Sequence, residues 1–475
     1  MWAEDFPQAG FQHAPEFLYA MFVLVLGALL MWLLPTEGLI INSALASMLI
    51  AAPCLVLYHR GEEWGERERP LLGYALYALP AIALGVAFLV GLGNPALETV
   101  FINGDAMYGL RDGIGDGPTT TLPGRTWLIF ASSLALYLLA LVTLFVIDNE
   151  WTLASCLTWL SYAAMGMAAV GWGQYALQLA GDPLGAVWFL RFFATEGYAS
   201  IACLWFCVAT VMIAFRLERE GWWLFLRSGG VLRLSGWLLL GSSAVQTGEA
   251  IHGLTVAGFA VGLPLGLAAA RLLTRPRRPS AAGWYAVLGI AGGLAAVAVG
   301  ATDQAEPQAA PELAMVKAQL WERLLAERPW TGWGGGSLDA LLVLERPIEL
   351  PLHEVGAPPS SFDRLRLEQG YAGALVWGLA VAVPLFGFAR LKHRANYSYG
   401  LLLVGAAQLP LLAQTPAGNH LGYAFGVWLV FFSAVRWSQI IDLRARQRKA
   451  RAPATMVFGV KGPSVPQAKP TSSSA

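Results

Sequence analysis

Charged side chains are scarce in this chain of 475 residues: Lys, Arg, Asp and Glu make up 13% of it, against about 25% in an ordinary soluble domain. Together with 56% hydrophobic residues and a mean hydropathy of +0.54, that scarcity excludes a water-soluble globule and points to an integral membrane protein. A surplus of either sign is missing too, since 31 basic residues balance 31 acidic ones. Without a basic face there is no footing for nucleic acid. Cysteine is sparse, and Cys54, Cys156, Cys203 and Cys207 all fall in apolar runs. They show neither zinc spacing nor a disulfide framework and read as packing residues; no metal or cofactor is expected. The opening MWAEDFPQAG lacks the basic segment of a cleavable signal peptide, so the first apolar run is expected to stay as a membrane helix.

Long apolar runs are what the chain has in abundance. A spanning helix needs about 20 mostly apolar residues, and about twelve stretches qualify. They are centred in 16–34, 38–58, 71–93, 127–147, 153–175, 198–215, 231–247, 254–272, 284–302, 370–388, 399–414 and 419–436. The expected fold is therefore all-α, a polytopic membrane domain over 1–450 followed by a tail, 451–475, of disordered composition. With the N terminus inside, roughly 22 basic residues lie on the inner side and roughly 9 on the outer. Both termini are then cytoplasmic. Two outer loops are long enough to carry function, 94–126 and 303–369, the second lying between the ninth and tenth helices.

The second loop has internal pattern. Residues 311–328, PELAMVKAQLWERLLAER, place Leu313, Val316, Leu320 and Leu324 at helical spacing, with Lys317, Glu322, Arg323 and Glu327 off that stripe. An amphipathic helix near the membrane surface is predicted. Directly after it comes ERPWTGWGGGSL, residues 327–338. No Gly-Lys-Ser/Thr ending follows these glycines, which excludes a nucleotide cradle; glycine chemistry alone gives a tight turn needing positive φ. Ser360 and Asp363 form a Ser-x-x-Asp pattern before the tenth membrane helix and read as its capping box.

One order of features is distinctive. A helix ends in Arg328, Pro329 and Trp330, a turn follows with Gly332, Trp333, Gly334, Gly335 and Gly336, and after a variable stretch Glu368, Gly370 and Gly373 open a membrane helix. This order resembles the O-antigen ligase and polymerase superfamily of bacterial membrane glycosyltransferases, best over 185–390. The resemblance implies a metal-independent transferase in the bacterial inner membrane, working at the periplasmic face. Such an enzyme moves a glycan from a polyprenyl-diphosphate carrier to a hydroxyl of a glycan or lipid acceptor. Its diphosphate needs fixed positive charge, which the planar guanidinium fork supplies, and its acceptor hydroxyl needs a base near neutral pH.

Matched residue by residue, the resemblance makes Arg191, in VWFLRFFATEGYAS, a diphosphate ligand; snorkelling to lipid phosphates is the alternative role. The family's second arginine falls at Glu249, between Gly248 and Ala250. A carboxylate there repels a diphosphate unless it is neutral or paired with a cation. The family's His-Asn falls at Pro359 and Ser360, and proline is no base. His353 is the substitute base the resemblance leaves, or else an exposed loop histidine, with His252 and His420 as further alternatives. Arg364, Arg366 and Glu368 are placed at the substrate by their position in the family's active loop. Trp330 and Trp333 are expected to anchor at the interface or to stack on sugar rings. Two other readings stay open: a non-catalytic relative that binds glycolipid or partners, and a membrane transporter. Against the transporter, the spans are nearly free of central charge and no internal repeat is visible.

Overall fold

In the computed structural model, the described residues are 14–32, 93–102, 105–110, 136–144, 149–179, 196–245, 311–334, 338–345, 365–375 and 421–451, with single positions 82, 85, 91, 119, 134, 146, 147, 256, 258, 347 and 363. Most of them are helical. The candidate spans 38–58, 71–93, 254–272, 284–302 and 399–414 lie wholly or almost wholly outside the described residues.

Helices among the described residues include α1 (Ala14–Trp32), α2 (Glu150–Leu179), α3 (Glu196–Glu220), α4 (Trp222–Phe225), α5 (Val231–Val245), α6 (Pro311–Glu327), α7 (Leu338–Glu345) and α8 (Leu421–Arg451). Two are long and apolar enough to cross a membrane, through Glu150–Leu177 of α2 and Ser200–Leu217 of α3. α3 is the centre of a bundle in which it packs on α2, α5 and α8, while α1 packs on α2 and α8. Its sequence explains that place. From Ser200 to Leu217 it is apolar nearly all round, and every residue of that stretch is buried; a helix without a polar face belongs inside.

Small residues let these helices approach. A side-chain carbon on Gly236 of α5 would sit 2.4 Å from the Met165 sulfur of α2, and one on Gly426 of α8 would sit 2.8 Å from a Leu204 methyl of α3. Bare glycine permits such closeness. Several of the polar groups left inside pair with one another or with main chain. The Trp237 indole N–H donates to Thr210 Oγ1 at 2.8 Å while its ring stacks on Phe206, and Tyr19 donates to the Leu139 carbonyl at 2.7 Å. At one end of the bundle the Asn149 amide donates to Glu16 Oε1 at 3.0 Å, and Arg436 Nε donates to the Ile147 carbonyl.

Between α3 and α5 the chain does not turn smoothly. Gly221 has φ +74°, α4 follows, and a π-helical turn over Leu226–Gly230 contains Ser228 and Gly229 at non-helical angles, Gly229 with φ +87°. This kink carries Trp223, Val231 and Leu232, all strongly exposed.

The helical expectation holds for most of the described residues, and one short hairpin is added to it. Within the stretch 94–126, strands β1 (Leu97–Ile102) and β2 (Asp105–Leu110) pair antiparallel, from Leu97 opposite Leu110 to Ile102 opposite Asp105. The two intervening residues are Asn103 and Gly104, a dipeptide suited to a two-residue hairpin loop.

Candidate functional site

The glycine turn and the Glu-x-Gly segment, apart in sequence, form one interlocked unit. α6 runs over the leucine-spaced stretch as predicted and buries Leu320, Trp321 and Leu324 against Trp333, Leu341, Leu342 and Leu367. After α6 the amide of Gly332 donates to the Arg328 carbonyl at 3.1 Å, reversing the chain. Gly332 and Gly334 take φ of +68° and +92°, angles that cost a residue with a side chain about 1–3 kcal/mol.

The returning strand of this turn meets the helical residues 365–375 at Gly370, where φ is +66°. In an unbroken helix Tyr371 would donate to Leu367, and Ala372 to Glu368. Here the Tyr371 amide donates to the Pro329 carbonyl at 2.7 Å and that of Ala372 to Trp330 at 3.1 Å. The carbonyls of Leu367 and Glu368 accept from Trp333 at 2.7 Å and Gly334 at 2.9 Å. Four groups that a helix pairs internally are thus matched by four from the glycine turn.

The contact is too close for side chains on either partner. A carbon added to Gly332 would lie 2.5 Å from the Gln369 nitrogen, and one added to Gly370 would lie 2.2 Å from the Trp330 carbonyl. Gly373 completes the motif by leaving room for the Gln369 side chain, 2.3 Å from where its own would begin. The stretch 94–126 joins here as well. Thr119, itself buried, donates to the Trp333 carbonyl at 2.7 Å.

The two tryptophans part company. Trp333 is 5% exposed, its indole N–H donates to the Leu324 carbonyl at 3.1 Å, and the Arg328 guanidinium lies 5.2 Å over its ring. Neither interface anchoring nor sugar stacking fits a ring enclosed in this way, so the expectation for Trp333 is replaced by a packing role. Trp330 is 70% exposed and meets the half-exposed Tyr371 edge to face at 5.8 Å. Arg366 lies 4.6 Å over the other partner's ring, Tyr371, and its Nη1 is 3.4 Å from Asp363 Oδ1. Trp330, Tyr371 and Arg366 therefore form a connected series on the rim of the clasp. Sequence reasoning missed Tyr371; its place two residues after the carboxyl-side glycine partner Gln369, inside the motif, was the available signal.

Charges around α6 are arranged in a chain. Arg323 is 3.7 Å from Glu327 and also bridges Glu345 of α7. Burial, and next the neighbouring Glu345 carboxylate, raise the Glu327 pKa against the opposing pull of Arg323 and Arg328. Among the described residues, no three His, Cys, Asp or Glu side chains gather in a way that would hold a metal ion.

Of the residues singled out from sequence, the structure brings Arg366, Glu368 and Trp333 together. Arg191, Glu249, His252, His353, Pro359, Ser360, Arg364 and His420 lie outside the described residues. Asp363 contacts Arg366 three residues on, whereas Ser360, the other half of its capping box, is not among the described positions. Compared with protein-family models and with curated proteins, the chain matches none.

Proposed function

We propose that the protein is a polytopic inner-membrane glycosyltransferase of the O-antigen ligase type. In this reading about twelve helices enclose a lipid-accessible groove, with the clasped loop standing at the periplasmic face. The acceptor oxygen attacks the anomeric carbon of the glycan, the bond from that carbon to the diphosphate oxygen breaks, and polyprenyl diphosphate leaves with the electron pair. The hydroxyl proton passes to His353. Arg191, Arg364 and Arg366 hold the diphosphate, and Glu368 with the Trp330–Tyr371 edge faces sugar. Aromatic faces suit sugars because C–H groups stack on them while hydroxyls bond nearby polar groups.

One observation carries this reading. The glycine turn and the Glu-x-Gly segment, whose order alone suggested the resemblance, are joined by reciprocal backbone bonds and mutually exclusive side-chain space. Two weak motifs that lock into each other make a built unit, and that unit holds Arg366 and Tyr371 beside Trp330.

The test is a mass-spectrometric profile of polyprenyl-diphosphate glycans from cells with and without the protein. A loaded carrier should accumulate on deletion and be cleared by wild type but not by Arg191→Ala; Trp330→Ala should clear it more slowly at normal protein levels. An unchanged profile while the glycan is being made rejects transfer. That result would favour the second reading, a non-catalytic relative that binds glycolipid, which the carboxylate at position 249 and the proline at 359 support.

A further inference from the structure

The elbow between α3 and α5 distributes its side chains the wrong way round for water. Among the described ones, the polar groups turn inward. Arg216 and Arg233 are each 6% exposed; Arg216 is bridged to Glu220 at 3.2 Å, and Arg233 Nε donates to the Tyr162 hydroxyl at 2.5 Å. Ser228 donates to Glu220 Oε2 at 3.0 Å. The large apolar side chains turn outward instead: Trp223 is 80% exposed, Val231 and Leu232 68% each, and Leu224 41%. Even the exposed Ser235 donates its hydroxyl proton to the Leu232 carbonyl at 3.1 Å, so that polar group too is satisfied within the chain.

This segment has a built shape. Gly221 and Gly229 reverse the chain at φ of +74° and +87°, angles that glycine adopts freely. Between them Phe225 is fully enclosed, and Gly230 lies so near it that an added side-chain carbon would sit 2.6 Å from the ring. The inward Phe225 and the bridged Glu220 hold the inner side of the elbow, which fixes what its outer side presents.

A connector between two spans would ordinarily lie in water. There this arrangement is unfavourable on both counts, since charge is drawn out of solvent while apolar surface is left in it. Lipid reverses the balance: paired charges belong inside the protein and apolar side chains outside. The position agrees, because the spanning stretch of α3 ends at Leu217, just before the elbow, and the exposed cation Arg227 stands within the apolar group. Tryptophan together with arginine at the end of a span is the composition of the headgroup boundary, and the Lys and Arg bias puts this end at the inner leaflet.

We propose that residues 221–232 form an interfacial elbow embedded in the inner leaflet, with Trp223, Leu224, Val231 and Leu232 among the upper acyl chains and Arg227 at the lipid phosphates. The partner is a lipid surface, and the elbow sets the depth at which α3 and α5 stand in it. This rests on the membrane reading of the chain and not on glycan transfer. Footprinting of the wild-type, full-length protein in vesicles of phosphatidylglycerol and phosphatidylcholine tests it without any substitution. Two labels are read by peptide mass spectrometry: hydroxyl radicals generated in water, and a diazirine carried on a phospholipid acyl chain, either near the glycerol or at the chain end. Trp223 should oxidise at least about fivefold more slowly than in the peptide released from the same protein, because an interfacial segment sits about 5–10 Å into the headgroup boundary. Residues 223–232 should take the glycerol-side diazirine about threefold more than the chain-end one. Oxidation of Trp223 at the rate of the free peptide would place the elbow in water and overturn the proposal. Protection from both reagents would mean that protein covers the elbow, and stronger labelling from the chain end that it enters the bilayer core; either result also overturns it. Trp159, 61% exposed on the spanning stretch of α2, separates the two failures: lipid labelling there with none on the elbow rejects the elbow alone, whereas none at either place rejects the membrane reading.

Discussion

Gly236 in the helix bundle and Gly370 in the clasped loop are both closely approached, but by different things. Around Gly236 the nearest atoms belong to Met165, a long unbranched side chain that is able to step aside. Around Gly370 they are the backbone atoms of Trp330 and Thr331, and Gly370 also has a positive φ. Backbone fixed by reciprocal hydrogen bonds has nowhere to go. The bundle thus uses glycine as a small residue and the clasp uses it as a conformation, so equal substitutions should have unequal effects.

The largest effect is expected from Gly370→Ala, with Gly332→Ala close behind. Each forces a side chain into a left-handed backbone and onto a neighbouring main chain, a cost of more than about 2 kcal/mol. Hydrogen–deuterium exchange should show the peptides spanning 328–334 and 367–375 losing protection together while α3 stays protected. Retained protection in either variant would mean that the four cross-bonds do not depend on these glycines.

Next in size is Trp333→Phe, which deletes the bond to the Leu324 carbonyl and part of a small core. A loss of about 1–2 kcal/mol is expected, confined to the loop unit. Trp330→Ala, two turn residues before Gly332, should change stability by less than about 0.5 kcal/mol because its ring is mostly in the open. If the two variants were equally destabilised by denaturant, the separation of packing tryptophan from exposed tryptophan would fail.

Gly236→Ala should be nearly neutral. Displacing Met165 is offset by the gain of about 1 kcal/mol when alanine replaces glycine inside a helix. A thermal midpoint that drops as far as that of Gly370→Ala would erase the distinction between the two regions.

The smallest expected effect is a pH dependence of the loop unit. Folding raises the Glu327 pKa, chiefly by burial and then by Glu345, so the folded unit holds that proton more tightly than the unfolded chain does. This stabilisation is fully present below the unfolded pKa and is lost as pH rises through the folded one. Loop protection should therefore fall slightly as pH rises through the upper carboxylate range, and Glu327→Gln should flatten the profile. A slope of opposite sign would point to the Arg323 contact as the controlling one.

Periodic features were legible in the sequence. The spacing of Leu320 and Leu324 marks the buried stripe of α6, and the uniform apolarity of 200–217 marks α3 as a central helix. The hairpin was legible only in part, since Asn103-Gly104 signals a tight reversal but six-residue strands in a long loop compete weakly with the apolar runs on both sides. For the clasp, order along the chain was visible and contact was not. Hydrogen bonds between main chains carry no side-chain signature, so only the glycines that permit them show. Trp333 illustrates the same limit: tryptophan beside glycine is equally at home in a wall or on a rim, and the choice is made by Leu324 and Leu367, which the local sequence does not bring near.

The exchange of partners at Gly370 has a consequence for the order of events in folding. Neither segment satisfies its own amides and carbonyls alone, so half a clasp is worse than none and the unit closes as a single cooperative step. Closing a loop of this length adds only a modest, logarithmically growing entropy, yet the step has to wait until residue 372 has been synthesised. The clasp is in that sense a timing device: during synthesis its first half stays open until its second half follows.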